Sequence, residues 1–282
     1  MNNEYNKFQE KDIPATKPAE TIGLAATIND GGLPHISLLT SLQAISAEKI
    51  TAGEFCKGIS KANMEKNRKT GFLIMTLNKE FWSGSALWYK KETHGPEYEE
   101  YNTLPMFRYN SYFGINTVHY MDLISLIQKR SLPMGAIIGS ALKTRAAAGL
   151  FRNNRENRIL NPFSENLINK IDSLCFLSFI NNEGYPKIIP IIQSTGIHGN
   201  SIIFNSSPFA EELNEILPGT ETAIFCMNLQ MESVLLRGIF SGYKKTVFGR
   251  TGKVDLKWVY NSMPPGHRQI YPETELTAVS QF

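Results

Sequence analysis

Residues 28–36 read INDGGLPHI, and nearly the same stretch, INNEGYPKI, returns at residues 180–188. The spacing from Asn29 to Asn181 is 152 residues. The same spacing relates further identical pairs: Gly32 and Gly184, Pro34 and Pro186, Ile45 and Ile197, Ile50 and Ile202, Thr70 and Thr222, Met75 and Met227, Leu77 and Leu229, and Gly114 and Gly266. A spacing held through loops of different composition indicates an internal duplication, and its length indicates two whole domains.

Length and composition agree with two domains of a globular protein. The chain has 282 residues, about twice the ~100–150 residues of a common domain. It is 42% hydrophobic and 20% charged with a net charge of +3, which does not indicate disorder or a nucleic-acid partner. No apolar run approaches the ~20 residues that span a membrane, and the first residues lack the apolar core of a signal peptide. We therefore expect a cytoplasmic protein without a membrane or nucleic-acid partner, whose ligand is a small molecule.

The chain has three cysteines, Cys56, Cys175 and Cys226. They are too scattered for a zinc site, and their odd number does not favour a disulfide framework. Because Cys175 and Cys226 lie in apolar runs, we expect them to be buried thiols.

The pattern of residues predicts mostly β-strands. TIGLAATI, the turn NDGG and PHISLLTSLQAI are typical of a hairpin, and KITAG is a short strand. A helix is predicted in KGISKANMEKNRKTG, followed by strands in FLIMTLN, SGSALWYKK and NTVHYMDLIS. The second copy repeats this order, with its helix in PFAEELNEIL and its last strand in IYPETELTAVS. Such a series of short strands with one helix favours a small antiparallel barrel in each copy.

A different kind of sequence, rich in Ala, Leu and Lys, joins the two copies and predicts helix. We expect a first barrel over residues 1–125, a helical connector over 126–170 and a second, degenerate barrel over 171–282. The connector contains a basic group, Arg145, Arg152, Arg155 and Arg158. Interleaved Asn and Glu favour a solvated helix face there over a nucleic-acid patch.

Two short motifs of the first copy resemble those of a known family. The first hairpin carries a G-x-P turn at residues 32–34, and the predicted helix carries S-K-x-x-x-x-x-N at residues 60–67, with Arg68 where the family has a proline. In these motifs and in element order, residues 20–125 and, more loosely, 165–280 resemble the FMN-binding split barrels related to pyridoxamine 5'-phosphate oxidase. The oxidase's own RLHDR-type ending is absent, and KEFWSG falls in a different element.

The resemblance implies a mainly β chain of two tandem split β-barrels of the FMN-binding type, joined by a helical connector. It also implies FMN as the cofactor and a flavin-dependent oxidoreductase of unknown substrate. Members of the family place the cofactor at a two-fold interface. Tandem copies in one chain are therefore expected to form an internal pseudo-dimer, with a further homodimer left open.

The candidate cofactor site follows from the chemistry of FMN. Its phosphate needs cations and hydroxyls, and its ring needs apolar walls. The first copy offers such polar residues: Ser37, Thr40, Thr51, Lys57, Ser60 and Lys61. At the spacing of 152 their counterparts are Ile189, Ile192, Ile203, Phe209, Glu212 and Leu213. The sequence therefore predicts phosphate binding in the first copy only.

Ring-binding residues are harder to choose from sequence. Trp82, Trp88 and Tyr89 are candidates for the ring walls, although aromatic residues on a strand are more often core; we select Trp88. Arg237 lies in an apolar strand of the second copy, where an arginine needs an anionic or carboxylate partner. We predict that it reaches the flavin edge or the substrate.

Other functions remain open at this point. The five histidines show no metal-ligand spacing, so no metal site is predicted. Some similar split barrels hold haem, for which His119 or His94 would be the axial ligand. The alternatives to an oxidoreductase are a non-catalytic flavin or haem binding or sensing module, and a degenerate structural protein. No catalytic residue can be assigned.

Overall fold

The computed structural model describes residues 7–17, 21–55, 58–104, 114–152, 157–262 and 268–275. The chain divides into two compact units. Unit 1 comprises Met1–Leu132 with Ile180–Ile188, and unit 2 comprises Pro133–Phe179 with Ile189–Phe282. Each has an antiparallel sheet, which confirms the predicted fold class, mainly β with two sheets and a helical connector.

The sheet of unit 1 has seven strands in the order β2-β1-β5-β6-β7-β4-β3. A 3-10 segment, Glu10–Thr16, precedes it. The strands are β1 Thr21–Ile28, β2 Pro34–Leu38, β3 Gln43–Ser46, β4 Lys49–Glu54, β5 Lys69–Thr76, β6 Glu80–Glu92 and β7 Thr117–Ser131. The helix α1, Ile59–Lys66, joins β4 to β5, and α2, Pro96–Thr103, lies between β6 and β7.

The second sheet has the order β10-β11-β14-β13-β12-β8-β9, with β15 paired to β14. Its strands are β8 Leu174–Ile180, β9 Pro186–Pro190, β10 Thr195–Ile197, β11 Ser201–Asn205, β12 Glu221–Met227, β13 Ser233–Thr246, β14 Gly249–Asn261 and β15 Arg268–Tyr271. Read from β9, this is the strand order of unit 1, element for element. The 3-10 segment Ser207–Phe209 and the short helix α5, Ala210–Leu213, take the place of α1.

The repeated turn explains why the two hairpins share a sequence. In the first, the side-chain oxygen of Asn29 accepts hydrogen bonds from the backbone N–H groups of Gly31, at 3.0 Å, and Leu33, at 2.8 Å. Asn181 does the same in the second hairpin. Gly32 and Gly184, three residues after these asparagines, have φ of 72° and 79°, a conformation that L side chains rarely adopt. The Asn and Gly that match at the 152-residue spacing therefore build one turn geometry.

The 152-residue spacing fails after β6 and β13. The counterpart of β7 in the sheet order is β14, not the strand predicted in IYPETELTAVS, of which only Ile270 and Tyr271 belong to a strand, β15, among the described residues. The connection from β6 to β7 takes residues 93–116 and includes α2, whereas only Val247 and Phe248 separate β13 from β14. The match of Gly114 with Gly266 is not tested, because Gly266 lies outside the described residues.

The helices of the connector belong to unit 2. They are α3, Met134–Ala147, continued by the 3-10 segment Ala148–Leu150, and α4, Pro162–Asn169. The side chain of Asn161 caps α4 by accepting a hydrogen bond from the Ser164 N–H at 2.8 Å. Over the described residues, no helix is both long enough and apolar enough to cross a membrane.

Two hydrophobic clusters lie on opposite faces of the first sheet. The inner cluster contains Phe8, Ala25, Leu39, Leu42, Ala44, Ile50, Ala52, Met64, Phe72, Ile74, Trp82, Ala86, Met121 and Leu126, with Trp88 packed against it. The outer cluster contains Tyr101, Ile115, Val118 and Tyr120, against which Ile45, Phe55, Tyr89, Tyr98 and Leu104 pack. Because side chains alternate along a strand, neighbouring residues of β4 serve different clusters.

The expectation of buried free thiols in unit 2 is wrong. Cys175 on β8 lies directly opposite Cys226 on β12, and the two form a disulfide with a Cα–Cα distance of 4.2 Å. Both cysteines are buried as predicted, with exposures of 1% and 0%. The sequence did not reveal the bond because only the pairing of β8 with β12 brings the residues together.

Candidate functional site

The start of α1 holds two of the predicted phosphate-binding residues. Gly58 precedes the helix in an extended conformation, and no side chain caps it. Ser60 is 3% exposed, and the ammonium nitrogen of Lys61 lies 3.7 Å from the point that a Cβ on Gly58 would occupy. There is no acidic residue in the first turn. Backbone N–H groups at a helix start, a hydroxyl and an ammonium group are the kinds of donor that bind an anion.

The corresponding helix of unit 2 has the opposite character. Its first turn carries Glu211 and Glu212, and Glu212 is only 7% exposed. Leu213, which takes the place of Lys61, is fully buried. Acidic side chains at a helix start compete with any other anion there. Within the described residues, the start of α1 therefore has this donor set and the start of α5 does not.

A hydrogen-bonded chain that sequence reasoning missed lies near Lys61. The indole N–H of Trp88 donates to Nδ1 of His119 at 3.2 Å, and Nε2 of His119 lies 2.7 Å from a carboxylate oxygen of Glu54. Because an indole can only donate, Nδ1 must be the acceptor, and Nε2 therefore carries the proton that is donated to Glu54. No local pattern links these residues, which meet only when β4, β6 and β7 pair.

The charge of Glu54 is maintained by its neighbours. The hydrogen bond from His119 is the main cause that lowers the pKa of Glu54, and the charges of Lys61 and Lys91 lower it further. Glu54 is 9% exposed. The start of α1 thus lies beside the ionised carboxylate of Glu54. The positive charge of Lys61 stabilises this carboxylate.

The two histidines considered for haem do not present an open site. His119 is fully buried, and both of its ring nitrogens have hydrogen-bond partners. Iron could bind either nitrogen only after one of these bonds breaks. His94 is exposed in the segment between β6 and α2. Among the described residues, no group of three or more His, Cys, Asp or Glu side chains is arranged to hold a metal ion.

Thr51 lies on the other face of the sheet from the start of α1. It is fully buried, and its hydroxyl lies 2.9 Å from that of Tyr101 in α2. The Tyr101 hydroxyl donates to the backbone oxygen of Ser41 at 2.6 Å, so Thr51 is the donor to Tyr101. The structure therefore does not bring Thr51 together with Lys61.

The remaining predicted phosphate ligands are half-buried or lie outside the described residues. Ser37 on β2 is opposite Ala25, whose side chain belongs to the inner cluster. Thr40 is half-buried in the turn after β2. Lys57 is outside the residues that the structure describes. Ser37 and Thr40 thus remain predictions, as Lys57 does.

Trp88 and Arg237 occupy different units. Trp88 is half-buried between the inner cluster and His119. Arg237 on β13 of unit 2 is 8% exposed, and its guanidinium carbon lies 4.2 Å from the centroid of the Trp258 ring. Burial lowers the pKa of Arg237 to about 10. Of the other aromatic candidates, Trp82 is entirely buried in the inner cluster and Tyr89 packs against the outer one.

No protein-family model matches the chain, and neither does any curated protein sequence. Among solved structures, HupZ of Group A Streptococcus is 15% identical over 42% of this chain and 92% of its own, with a TM-score of 0.35. An FMN-binding protein of Syntrophomonas wolfei is 14% identical, over 43% and 82%, with a TM-score of 0.34. A FAD-binding protein of Mesorhizobium loti is 13% identical, over 46% and 99%, with a TM-score of 0.28. Each similarity covers less than half of this chain.

Proposed function

We propose that unit 1 binds FMN, with the phosphate held at the start of α1 by Ser60 and Lys61. The observation that carries the proposal is the difference between α1, whose first turn has no acidic residue, and α5, whose first turn has two. In this proposal the Lys61 ammonium group and the backbone dipole of the α1 start attract the same anion. Ser37 on β2 and Thr40 in the turn after β2 are further candidates for contacts with the phosphate.

We infer from the shared turn and the shared strand order that the chain is a tandem duplication. In the proposed arrangement the two copies form an internal pseudo-dimer, Arg237 contributes to the flavin edge or substrate, and Trp88 walls the ring. The flavin would supply hydride or electron transfer, and the chain would supply position and electrostatics. The proposed activity is a flavin-dependent oxidoreductase in the cytoplasm, with a small-molecule substrate.

Replacing Lys61 tests the phosphate contact. A charge-assisted hydrogen bond is lost in Lys61→Ala, so FMN affinity should fall roughly tenfold to a hundredfold. Riboflavin, which has no phosphate, should bind the variant as it binds the wild type. Lys66→Ala is the matched control, since Lys66 ends the same helix and pairs with Asp30 at the surface. Equal FMN affinity in wild type and Lys61→Ala would remove this site.

Stoichiometry tests the restriction to unit 1. With Glu212 and Leu213 in place of Ser60 and Lys61, unit 2 has no phosphate site, so one FMN per chain is the expected maximum. Flavin absorbance measured against protein mass gives the ratio. Two tightly held equivalents per chain would contradict the proposal.

The same purified sample separates the three functional classes. Flavin absorbance with oxidation of a nicotinamide donor supports the oxidoreductase, and flavin absorbance without turnover supports a binding or sensing module. A Soret band after haem addition would favour haem despite the occupied nitrogens of His119. A chain that stays colourless with added FMN supports a structural role.

A further inference from the structure

The hydrogen-bonded chain of Glu54, His119 and Trp88 lies on the inner face of the first sheet. Ala52, two residues before Glu54 on β4, belongs to the inner cluster and is the register partner of His119 on β7. Trp88 of β6 packs against the same cluster, and so does α1 through Met64. Residues two apart on a strand share a face of the sheet, as do residues directly opposite each other. The chain therefore lies on the side of the sheet that carries the proposed phosphate site.

The imidazole of His119 fixes the orientation of the Trp88 indole. Nδ1 accepts the indole N–H at 3.2 Å, and Nε2 donates to the Glu54 carboxylate at 2.7 Å. His119 is fully buried, and its ring makes an angle of 47° with that of Trp88 at a centroid distance of 6.4 Å. Hydrogen bonds weaken steeply when they bend, so neither ring can turn without losing one of these contacts.

The contact with Trp88 requires a neutral imidazole. An indole nitrogen can only donate, so Nδ1 must offer a lone pair. A protonated imidazole carries a hydrogen on both nitrogens, and its Nδ1–H would face the indole N–H, donor against donor. A second proton on His119 therefore breaks the bond to Trp88, whereas the bond to Glu54 becomes an ion pair and is strengthened.

His119 is the member of the chain whose charge changes near neutral pH, because histidine is the side chain that ordinarily titrates between about pH 5 and 8. The hydrogen bond from His119 is the main cause that lowers the pKa of Glu54 from 4.5, so the carboxylate stays ionised over that range. The other charges that act on Glu54 are the ammonium groups of Lys61 in α1 and Lys91 in β6. Ammonium groups ordinarily keep their charge there. A change of pH in this range therefore acts on the chain through His119.

Unit 2 has different residues at the equivalent positions. By strand order and register, the places of Glu54, Trp88 and His119 are taken by Ser206, Phe240 and Gly252. The rings of Phe204 and Phe240 stack there, with their centroids 6.3 Å apart. A Cβ on Gly252 would lie 2.8 Å from the Phe204 ring, so a histidine has no room at this position. The same strands thus pair without such a chain, which is a property of unit 1.

We propose that His119 is a positioning residue for the flavin ring: in its neutral form it holds the Trp88 indole in the orientation that walls the ring, and on protonation it releases the indole. The inference rests on the proposed function, in which Trp88 contacts the ring. His119 acts through Trp88 and does not itself touch the ligand. A wall that is fixed before binding loses less side-chain entropy on binding than a wall that is free to turn. Ring affinity should therefore be higher at neutral pH than in mild acid.

Two substitutions of His119 separate positioning from packing. The probe is riboflavin, which tests the ring without the phosphate. The glutamine in His119→Gln offers a carbonyl acceptor and an N–H donor, so it can keep both contacts and should bind riboflavin within about twofold of the wild type. His119→Leu has neither group and should weaken riboflavin binding about threefold to tenfold, the equivalent of one lost hydrogen bond.

The pH profile is a readout that a purely structural role would not change. Wild-type affinity for riboflavin should fall about threefold to tenfold from about pH 7.5 to about pH 5.5. His119→Gln should show no such fall because an amide does not titrate, and neither should Trp88→Phe, which keeps an aromatic wall without an N–H. His198→Gln is the matched control. His198 lies in unit 2, where its Nε2 is 2.8 Å from the carbonyl oxygen of Phe151, and its replacement should leave the wild-type profile unchanged.

A measurement on the ligand-free wild type guards against misfolding of the variants. The indole N–H resonance of Trp88, identified by its loss in Trp88→Phe, should shift and exchange with solvent faster as the protein is acidified over the same range. A Trp88 resonance that does not respond to pH overturns the proposal. So does a fall of riboflavin affinity in acid that persists in Trp88→Phe.

Failure of the proposed function has a different signature from failure of this inference. If the wild type binds no riboflavin at any pH, the flavin ring is not the ligand, and the positioning role is overturned with it. If riboflavin binds the wild type and His119→Leu equally well, only the positioning role of His119 is overturned.

Discussion

The two sheets have the same order of strands and hairpins built on the same Asn-Gly turn, yet units 1 and 2 differ at the helix after the fourth strand. In unit 1 the helix after the fourth strand offers Ser60 and Lys61, and in unit 2 it offers Glu212 and Leu213. The framework is set by strand pairing and turn geometry, which tolerate these changes. The charge of the side chains differs in the helices that connect these strands.

The two units also differ in the side chains that cover the outer face of the fourth strand, β4 in unit 1 and β11 in unit 2. In unit 1 the Tyr101 hydroxyl of α2 accepts a hydrogen bond from buried Thr51, and in unit 2 Ile203, at the position of Thr51, packs with Ala147 of α3 and with Phe151 and Ile197. Burial of apolar surface is favourable without any directional match, whereas a buried polar group needs a partner in a defined place. At this position unit 2 therefore buries an apolar side chain, Ile203, whereas unit 1 buries the hydroxyl of Thr51, which requires a hydrogen-bond partner.

The largest expected effect concerns a bond that only unit 2 has among the described residues. The Cys175–Cys226 disulfide joins residues 51 positions apart, and closing such a loop contributes about 4 kcal/mol in the chain-entropy treatment. The double variant Cys175→Ala, Cys226→Ala should lower the free energy of unfolding by about that amount in urea denaturation. The wild type under a strong reductant should behave like the variant. An unchanged midpoint in both would show that the cross-link does not stabilise unit 2.

An exchange of one residue between the units has the next largest effect. Ile203→Thr places a threonine hydroxyl, such as Thr51 has in unit 1, in the apolar cluster of unit 2. The described members of that cluster include no hydroxyl that could pair with it as Tyr101 pairs with Thr51. The loss of the ethyl group and the unpaired hydroxyl should together cost about 2–4 kcal/mol of unfolding free energy. Thr51→Val in unit 1 removes one partnered hydroxyl and should cost about 1 kcal/mol. If Ile203→Thr and Thr51→Val lowered the free energy of unfolding equally, the surroundings of residues 203 and 51 would not differ in polarity.

The smallest expected effect is a dependence on pH that belongs to unit 1. Its hydrogen bond to His119 holds the pKa of Glu54 below the ordinary 4.5. The pair therefore contributes stability above pH 4.5 and loses it as the pH falls through the lowered value. Glu54→Gln should lose about 1 kcal/mol near neutral pH and show a flatter decline in acid.

Denaturant midpoints measured from neutral to acid pH check this dependence. Glu48→Gln, which breaks an exposed pair with Lys7, is the control and should change the profile less because solvent screens that pair. A profile for Glu54→Gln parallel to the wild type would show that the Glu54 carboxylate is not linked to folding.

Local patterns predicted much of the fold. The strand predicted at residues 21–28 is β1, Thr21–Ile28, and KGISKANMEKNRKTG contains α1. Two features were missed, the helix α2, for which the sequence carried a signal, and a turn, for which it carried little. Gly95 followed by Pro96, with Glu97 and Glu99 in the first turn, is typical of a helix start. The connection at Val247 and Phe248 was missed because a two-residue turn without Gly or Asn at its centre gives little signal.

The candidate site was predicted less completely. Ser60 and Lys61 could be chosen because they lie together on one helix and change together at the 152-residue spacing. Thr51 was grouped with them because it is close in sequence, but the alternation of side chains along β4 directs it to the opposite face. Glu54 and His119 are separated by 65 positions, and no local pattern relates them.

The sequence by itself determined the repeated Asn-Gly turn, the hairpins and the mainly β class, because turn chemistry and alternation of apolar residues act between near neighbours. Tertiary structure alone decided that β14 takes the place of β7, that Cys175 meets Cys226, and that Tyr101 covers Thr51. These are contacts between residues distant along the chain, and strand register and helix placement select them. One inserted helix changes which polar groups are buried while the strand order stays the same.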